Sequence, residues 1–354
     1  MIPARVKINY SPYRLVFKEP AGTSRGVLTT KLTYFLRVSD IDNPGNVAYG
    51  EVPYFEGLSA ESRVQVETEL KRLTGSYSID ALLNDKGVSS LNFGCEQVVN
   101  CFENSQGLCF PSGFTSGDST IQINGLIWMG NFTEMLERVT QKLRCGFKCI
   151  KIKIGAIDWK EELRLIEEVR RLAGNEVVLR VDANGAFTPS DCMKKLHKLA
   201  HYGVHSIEQP IKPGQKSLLK EICRKSPIPV ALDEELIGMG IGSGRDEFLD
   251  YVAPRFIVLK PALCHGFKGA VDWIERAEKR GIGWWITSAL ESNVGLDAIA
   301  QFTGKLNPEI PQGLGTGNLY TNNLQSPLSL SREVLTYTGH PACYSCELEK
   351  LEWL

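Results

Sequence analysis

Three carboxylates in the middle of the chain have a spacing that could bind a metal ion. Asp182, Glu208 and Asp233 each close or follow a short apolar segment, and one predicted strand–helix unit separates each from the next. Charge at the end of an apolar strand is costly unless it is paired or bound. Although a lone Asp after a strand is often only a helix cap, three at matched positions on neighbouring strands would converge on one point. Hard oxygen ligands suit Mg²⁺ or Mn²⁺.

Lysines flank this predicted metal site. Lys151 and Lys153 are two residues apart, so both side chains point to the same face of a strand. Lys260 follows four apolar residues on a predicted strand three further round, where it would face the other two. A neighbouring cation and partial burial lower the pKa of a lysine, which lets it act as a base near neutral pH. The metal would bind a substrate carboxylate and stabilise the charge that develops when the adjacent C–H is deprotonated.

Strand-like and helix-like segments alternate from residue 121 onward, and they predict the scaffold that positions these side chains. Seven apolar segments are each followed by a helix-like stretch, and an eighth, weaker one lies near Gly313–Gly317. The seven are Ile121–Met129, Cys149–Ile154, Val177–Val181, Ser206–Ile211, Pro229–Leu232, Phe256–Leu259 and Trp284–Thr287. The alternation predicts a parallel sheet. So many units in about 200 residues favour a closed barrel, whose catalytic residues come from the C-terminal strand ends.

The first 120 residues have a different pattern. Two segments alternate like strands and two have helical periodicity, namely Lys31–Asp40, Asn46–Val52, Ser59–Leu73 and Phe93–Glu103. The fold class predicted is therefore α/β: a (β/α) barrel (a modified TIM barrel) with an N-terminal α+β capping domain. We expect the capping domain at residues 1–120, completed by residues 320–354, and the catalytic barrel at residues 121–319.

Composition restricts what the protein binds. The formal net charge of −1 gives no basic surface for nucleic acid, and no apolar run is long enough for a membrane span. No G-x-G-x-x-G follows the first strand and no P-loop motif occurs, so nucleotide cofactors are not indicated. The expected partner is a small-molecule carboxylate.

Cysteine and histidine patterns do not indicate a second metal site. Cys343 and Cys346 form one C-x-x-C pair without the second pair that structural zinc usually needs. His197, His201 and His205 have the four-residue spacing of a solvated helix face. Because the N-terminal stretch lacks the continuous apolar core of a signal peptide, we expect ten reduced thiols and a cytoplasmic location.

Five motifs occur in a fixed order along the chain: Lys151-Ile-Lys-Ile-Gly155, Val181-Asp-Ala-Asn-Gly185, Ile207-Glu-Gln-Pro210, Leu232-Asp-Glu-Glu235 and Val258-Leu-Lys-Pro261. With them, the chain resembles the enolase superfamily, muconate-lactonizing subgroup, across essentially its whole length. The resemblance implies Asp182, Glu208 and Asp233 as metal ligands. It implies Lys153 as the proton-abstracting base, Lys151 as its partner and Lys260 as the opposite lysine. Asn184 and Glu234 match positions that support these groups.

The resemblance also implies how substrate is held. The N-terminal layer would cap the barrel, and the loop around Thr23–Gly26 would close over the substrate, with Arg25 meeting an anionic group. Ser288, Glu291 and Gly315 are further candidate substrate contacts, although we interpret Glu291 as structural, bonded within the barrel mouth.

Two later segments, Thr287–Gly295 and Gln312–Gly317, are similar to the o-succinylbenzoate synthase family. This similarity implies a metal-dependent lyase of menaquinone biosynthesis that dehydrates a 2-succinyl-6-hydroxycyclohexadiene-1-carboxylate through an enediolate. Thr287 stands where that family usually has serine, and Gly315 where relatives often have Asp. An N-acylamino acid racemase, dipeptide epimerase or cycloisomerase is therefore an alternative, because a racemase needs the same two lysines. A barrel that binds without turnover would have lost a lysine or an acid, and none is missing.

Overall fold

The computed structural model describes residues 2–23, 26–104, 107–339 and 343–354. Its N-terminal part, called the N-terminal layer below, contains a four-stranded antiparallel sheet in the order β3-β2-β1-β4. The strands are β1 (Arg5–Thr23), β2 (Gly26–Asp40), β3 (Val47–Val52) and β4 (Gly75–Ser78), and the helices are α1 (Arg63–Leu73) and α2 (Ser89–Glu103). A 3₁₀ helix spans Ile79–Leu83. This is the α+β arrangement that the sequence predicts.

The first helix begins later than its periodicity predicts. Ser62 caps α1: its Oγ accepts a hydrogen bond from the backbone N of Gln65, and the Gln65 side chain accepts one from the backbone N of Ser62. This reciprocal pair is a capping box. Ser59, the predicted first residue, instead accepts a hydrogen bond from the backbone N of Phe55. The Ser59 bond stabilises the turn that presents Phe55 toward the barrel.

Seven parallel strands form the barrel sheet, in the order β12-β11-β10-β9-β8-β7-β6. They are β6 (Gly125–Ile127), β7 (Cys149–Lys153), β8 (Val178–Asp182), β9 (Ser206–Glu208), β10 (Val230–Leu232), β11 (Phe256–Leu259) and β12 (Gly283–Ile286). The helices are α3 (Phe132–Arg144), α4 (Trp159–Ala173), α5 (Cys192–Ala200), α6 (Lys216–Lys225), α7 (Ser243–Val252), α8 (Gly266–Glu278) and α9 (Asn293–Leu306). Short 3₁₀ helices span Glu234–Leu236 and Pro261–Leu263. The (β/α) barrel predicted from the alternation is confirmed.

The first predicted barrel strand, Ile121–Met129, is divided into two strands. Its first part is β5 (Ile121–Gln122), which pairs antiparallel with β14 (Val334–Tyr337) outside the barrel sheet. Only β6 continues into the barrel, where it pairs with β7. The break falls at Asn124, whose backbone N donates to the carbonyl of Gln312. A continuous strand over this segment was therefore a wrong prediction.

The eighth predicted strand, near Gly313–Gly317, is replaced by two bridging residues. Gln312 forms a parallel bridge with Ile123, and Gly313 forms one with Thr287. The backbone N of Gly313 donates to the carbonyl of Ile286 over 2.8 Å. A Cβ on Gly313 would lie 2.4 Å from Thr287 Oγ1, so only glycine permits this approach. The barrel is closed by residues 312–313 between the β6 and β12 edges.

The C-terminal tail divides its contacts between the two parts of the chain. Strands β13 (Leu328–Ser331) and β14 form a hairpin against β5. Helix α10 (Ser345–Leu348) packs Tyr344 and Leu348 against the N-terminal layer, and Tyr10 and Leu354 exchange backbone hydrogen bonds. The division into residues 1–120 with 320–354 and residues 121–319 stays our proposal. Among the described residues, no helix is long and apolar enough to cross a membrane.

Candidate active site

A cavity opens at the C-terminal ends of the barrel strands. Charged and amide side chains form its floor: Lys151, Lys153, Asp182, Asn184, Glu208, Asp233, Glu234 and Lys260. One wall is apolar and includes Phe55 and Leu58 of the N-terminal layer together with Leu126, Trp128, Trp285 and Leu290. Hydroxyls and glycines form another part: Thr287, Ser288, Gly313, Gly315 and Thr316. The cavity therefore combines a highly charged floor with a largely uncharged upper part.

The three predicted metal ligands come from successive strands. Asp182 ends β8 and pairs in register with Glu208, which ends β9; Asp233 directly follows β10. Their exposed fractions are 1%, 2% and 3%. The structure thus brings together three nearly fully buried carboxylates, as expected from residues that end neighbouring parallel strands.

The lysines pair with these carboxylates. Lys151 Nζ lies 2.6 Å from Glu208 Oε1 and 3.0 Å from Asp182 Oδ2. Lys153 Nζ lies 3.2 Å from the same Asp182 oxygen. Lys260, from the other side, forms an ion pair with Asp233. Lys151 and Lys153 share a face of β7 because side chains alternate along a strand.

Burial and these ion pairs act in opposite directions on the pKa values. Burial favours the neutral form of Asp182, but the charges of Lys151 and Lys153 outweigh it and hold the pKa of Asp182 well below its usual range. Burial would also lower the pKa of Lys151, yet Asp182 and Glu208 raise it above its ordinary value. The pKa of Glu208 is raised to about 8, first by burial and then by repulsion from Asp182.

The lowered lysine pKa expected from the sequence assumed a bound cation. In the protein alone the carboxylates have the opposite effect, because Asp233 raises the pKa of Lys260 against the effect of burial. A cation bound to these carboxylates would weaken their attraction for the lysine ammonium groups, so the carboxylates would raise the lysine pKa less. The sign of the lysine shift therefore depends on occupancy of the site.

The donor set fits a hard divalent cation. Within the described residues, no group of three acidic, histidine or cysteine side chains is arranged as a metal site. Lysine ammonium groups instead contact all three carboxylates. Among the same residues, Glu208 Oε2 is buried without a hydrogen-bond partner. An unpaired buried carboxylate oxygen is costly, and a cation at the three strand ends would satisfy it.

Asn184 and Glu234 lie where the sequence predicts supporting groups. Asn184 Oδ1 accepts a hydrogen bond from Lys153 Nζ over 2.7 Å, and its Nδ2 donates to Glu234 Oε1 over 2.9 Å. The backbone N of Asn184 also donates to Asp182 Oδ1. Asn184 therefore links Lys153 of β7, Asp182 of β8 and Glu234, the residue after Asp233.

Sequence reasoning missed Gln209, which joins two of the carboxylate-bearing segments. It is fully buried, and its Oε1 accepts hydrogen bonds from the backbone N of Asp233 and of Glu235. Its Nε2 donates to the carbonyl of Ile211. A polar residue immediately after Glu208 was the available signal. Gln209 holds the end of β9 against the segment that carries Asp233.

The candidate substrate contacts differ in where the structure places them. Ser288 and Gly315 line the cavity, and Ser288 Oγ is hydrogen-bonded to Thr316 Oγ1. Glu291 does not line it: the side chain is fully buried and accepts hydrogen bonds from the backbone N of Ala289. Its place among the substrate contacts is therefore corrected, and the structural interpretation fits its position. Ser24 and Arg25 of the predicted loop lie outside the described residues, whereas Thr23 ends β1 and Gly26 begins β2.

Comparison with known proteins agrees with this geometry. The family described as "Enolase C-terminal domain-like" matches residues 134–327. The o-succinylbenzoate synthase of Desulfotalea psychrophila is 42% identical, over 93% of this chain and 98% of that protein. This chain belongs to the enolase superfamily.

Solved structures show the same fold. The crystal structure of MenC from Desulfotalea psychrophila has a TM-score of 0.78 at 37% identity, covering 94% of this chain and 99% of that chain. A dipeptide epimerase from Cytophaga hutchinsonii, complexed with Mg and a dipeptide, has a TM-score of 0.83 at 21% identity, covering 100% and 99%. At that identity, the likeness to the epimerase shows the fold alone.

Proposed function

We propose that this protein is a divalent-metal-dependent lyase that dehydrates 2-succinyl-6-hydroxycyclohexadiene-1-carboxylate to o-succinylbenzoate, a step of menaquinone biosynthesis. The observation that carries this proposal is the 42% identity to an o-succinylbenzoate synthase over nearly the whole of both chains. The buried acids and lysines at the strand ends supply the groups that such a reaction requires.

Asp182, Glu208 and Asp233 would hold the cation, which we propose is Mg²⁺ or Mn²⁺ because all three donors are hard carboxylate oxygens. When bound, the cation supplies positive charge to the substrate carboxylate beside the carbon that loses its proton. Asn184 and Gln209 would keep the acids and Lys153 in register through the hydrogen bonds described above.

Lys153 is the proposed base. Its Nζ takes the proton from C1, and the C–H electrons form an enediolate. The bond between C6 and oxygen then breaks, and the leaving hydroxide takes the proton that Lys153 holds. The products are one water and the aromatic acid. Lys260, buried on the opposite side with Asp233, stabilises the negative charge as a cation. Lys151 holds Asp182 and Glu208 in place.

The upper part of the cavity suits the rest of this substrate. Apart from the charged floor and the amide of Asn124, the described lining residues are apolar, carry hydroxyls or are glycines, and none of them is acidic. An ammonium group would need an acidic partner, whereas an uncharged ring can pack on Trp128 or Trp285. The succinyl carboxylate would meet Ser288 and the backbone near Gly315, with Arg25 as a further proposed contact.

One observation favours a second activity at the same site. Lys153 and Lys260 both line the cavity, from opposite sides of the carboxylates. Two lysines on opposite faces of a carbon are what a racemase of N-acylated amino acids or an epimerase of dipeptides needs. The lack of an acidic residue in the upper lining favours the lyase over a substrate with a free amine.

The location of the protein is a separate proposal. All ten cysteines are free thiols in the described structure, and eight of them are partly or fully buried. Free thiols are usual in a reducing compartment. We propose that the protein acts in the cytoplasm.

Formation of o-succinylbenzoate by the purified protein with Mg²⁺ tests the proposal. Lys153→Ala should lose about 10²–10⁴-fold in kcat, the usual contribution of a positioned base. Lys148→Ala, which removes an exposed lysine just before the same strand, is the control and should be unaffected. Wild-type turnover by Lys153→Ala would reject the assigned base, and no turnover by the wild type would reject the function.

A further inference from the structure

Two carboxylates of the N-terminal layer cross to the barrel and cap two successive barrel helices. Glu51, on β3, accepts hydrogen bonds from the backbone N of Ser292 and of Gly295 at the start of α9, each over 2.9 Å. Glu96, on α2, accepts them from Phe267 and Lys268 at the start of α8. Helix N-termini have unpaired N–H groups and a positive dipole end, which favour a carboxylate. These bonds join the N-terminal layer to the catalytic face.

The segment that Glu51 contacts carries part of the cavity wall. Residues 287–292 connect β12 to α9 and are called the recognition loop here; its residues Ser288 and Leu290 line the cavity. Leu290 has a φ of 59°, an unfavourable conformation for a leucine. Such a conformation persists only when the surroundings hold it.

Several hydrogen bonds hold this loop. Tyr320 Oη donates to the carbonyl of Leu290 over 2.7 Å, and the Glu291 carboxylate accepts from the backbone N of Ala289. Glu51 fixes the far end through the backbone N and the Oγ of Ser292. Of these groups, only Glu51 comes from the N-terminal layer.

We propose that Glu51 is a positioning residue that sets the conformation of the recognition loop and, through Ser288 and Leu290, the binding of the non-reacting part of the substrate. The consequence for substrate binding rests on the proposed function; the consequence for the loop does not. Phe55 and Leu58 also belong to the N-terminal layer and line the cavity. Glu51 therefore fixes the loop relative to the layer that supplies Phe55 and Leu58 to the same cavity.

A carboxylate is specifically required at this position. Glu51 Oε1 accepts from Thr33 Oγ1 and the backbone N of Ser292, and Oε2 accepts from Ser292 Oγ and the backbone N of Gly295. Each oxygen thus faces a backbone N–H, which can only donate. A glutamine, in either orientation, would direct its NH₂ group at one of them. Glu51→Gln therefore disrupts the cap while preserving side-chain size.

The surroundings of Glu51 agree with a dedicated contact. The side chain is fully buried. A Cβ on Gly295 would lie 2.8 Å from Glu51 Oε2, so the glycine is what lets the carboxylate reach the helix. Lys31 is also buried and interacts electrostatically with Glu51 and Glu291, which offsets their charge.

Glu96 provides a matched control. It also crosses from the N-terminal layer to a helix N-terminus, but both of its backbone bonds, from Phe267 and Lys268, reach the single oxygen Oε2. A glutamine at position 96 can keep both bonds through its carbonyl oxygen. Glu96→Gln therefore tests a change of charge at the interface without loss of the cap and without contact with the recognition loop.

Hydrogen–deuterium exchange on the full chain tests the loop without any substrate. Loss of about one hydrogen bond, worth on the order of tenfold in an opening equilibrium, should speed exchange of amides 289–295 about 10-fold in Glu51→Gln. Glu96→Gln should leave these amides unchanged. Thr33→Val, which removes one of the four bonds to Glu51, should have a smaller effect of about 3-fold and serves if Glu51→Gln does not fold.

Kinetics on the proposed substrate test the consequence for binding. KM should rise about 10-fold in Glu51→Gln with kcat changed less than about 3-fold, because the reacting groups are untouched. Glu96→Gln should keep both constants. Unchanged exchange in Glu51→Gln and Thr33→Val, or equal changes in Glu96→Gln, would overturn the proposal. An inactive wild type whose loop still responds to Glu51→Gln would reject the proposed function alone.

Discussion

Lys153 and Asn184 are joined by a 2.7 Å hydrogen bond between the lysine Nζ and the asparagine Oδ1. Asn184 has a φ of 42°, in the left-handed region that asparagine adopts more readily than most residues. This backbone conformation places its side chain between Lys153 and Glu234. The orientation of the proposed base therefore depends on a neighbour that does not itself react.

Replacing Asn184 should impair positioning of the base. Asn184→Ala removes the hydrogen bonds to Lys153 and Glu234, each worth about 0.5–1.5 kcal/mol. We expect kcat to fall about 10-fold, far less than in Lys153→Ala. Steady-state kinetics beside thermal unfolding curves would measure this. A kcat equal to that of the wild type would show that Lys153 is oriented by other contacts.

Divalent cations should stabilise the protein as well as activate it. Cation binding relieves the repulsion among Asp182, Glu208 and Asp233, and a ligand at 100 times its Kd adds about 2.7 kcal/mol to the stability of the folded state. Mg²⁺ should raise Tm, chelator should reverse the rise, and Asp233→Asn should bind much more weakly. Asp250→Asn, at an exposed acid on α7, should respond like the wild type. Full activity in excess chelator, or a Tm indifferent to the ion, would contradict the metal site.

Closure of the barrel should depend on Gly313. A Cβ at this position would lie 2.4 Å from Thr287 Oγ1 and 2.7 Å from Thr287 Cβ. Overpacking of this kind typically costs about 1–3 kcal/mol, so Gly313→Ala should lower the free energy of unfolding by that amount. Gly240→Ala is the matched control, since a Cβ there meets nothing within 4 Å. Equal stability of the two variants in urea would show that the bridge at Gly313 is dispensable.

Glu96 should make stability depend on pH. Burial raises its pKa from 4.5 to about 7, against the effect of the backbone N–H groups of Lys268 and Phe267. Folding thus disfavours the ionised form, and Glu96 destabilises the protein increasingly as pH rises from 4.5 to about 7. Because Gln does not titrate, the Tm of Glu96→Gln minus that of the wild type should increase by roughly 2 °C or more between pH 5 and pH 8. The same difference at both pH values would contradict the raised pKa.

The carboxylates and lysines could be predicted from the sequence because each is a charge at the end of an apolar segment. Asp182, Glu208 and Asp233 needed only the regular strand–helix alternation to be placed together. Residues 312–313 gave no comparable signal: two bridging residues are too few for a periodic pattern, and their pairing with Ile123 and Thr287 depends on the rest of the barrel.

Contacts between the two parts of the chain could not be predicted from local patterns. Glu51 is the single charged residue of β3 and resembles a solvated strand position, yet its partner Ser292 lies 241 residues later. Glu96 is one of several polar residues in α2, and its partner Phe267 lies 171 residues later. Gln209 was visible in its motif, but its bonds to Asp233 and Glu235 require the adjacent strand to be in place.

The substrate is the central claim, and a comparison of kcat/KM values tests it most directly. The purified protein with Mg²⁺ should be assayed with the succinylated hydroxycyclohexadiene carboxylate, with N-succinyl amino acids and with dipeptides. We predict that dehydration to o-succinylbenzoate has by far the highest kcat/KM, since the upper cavity lining offers hydroxyls and apolar surface rather than an acid for an ammonium group. Epimerisation of a dipeptide faster than that dehydration would contradict the lyase assignment and leave the superfamily membership intact.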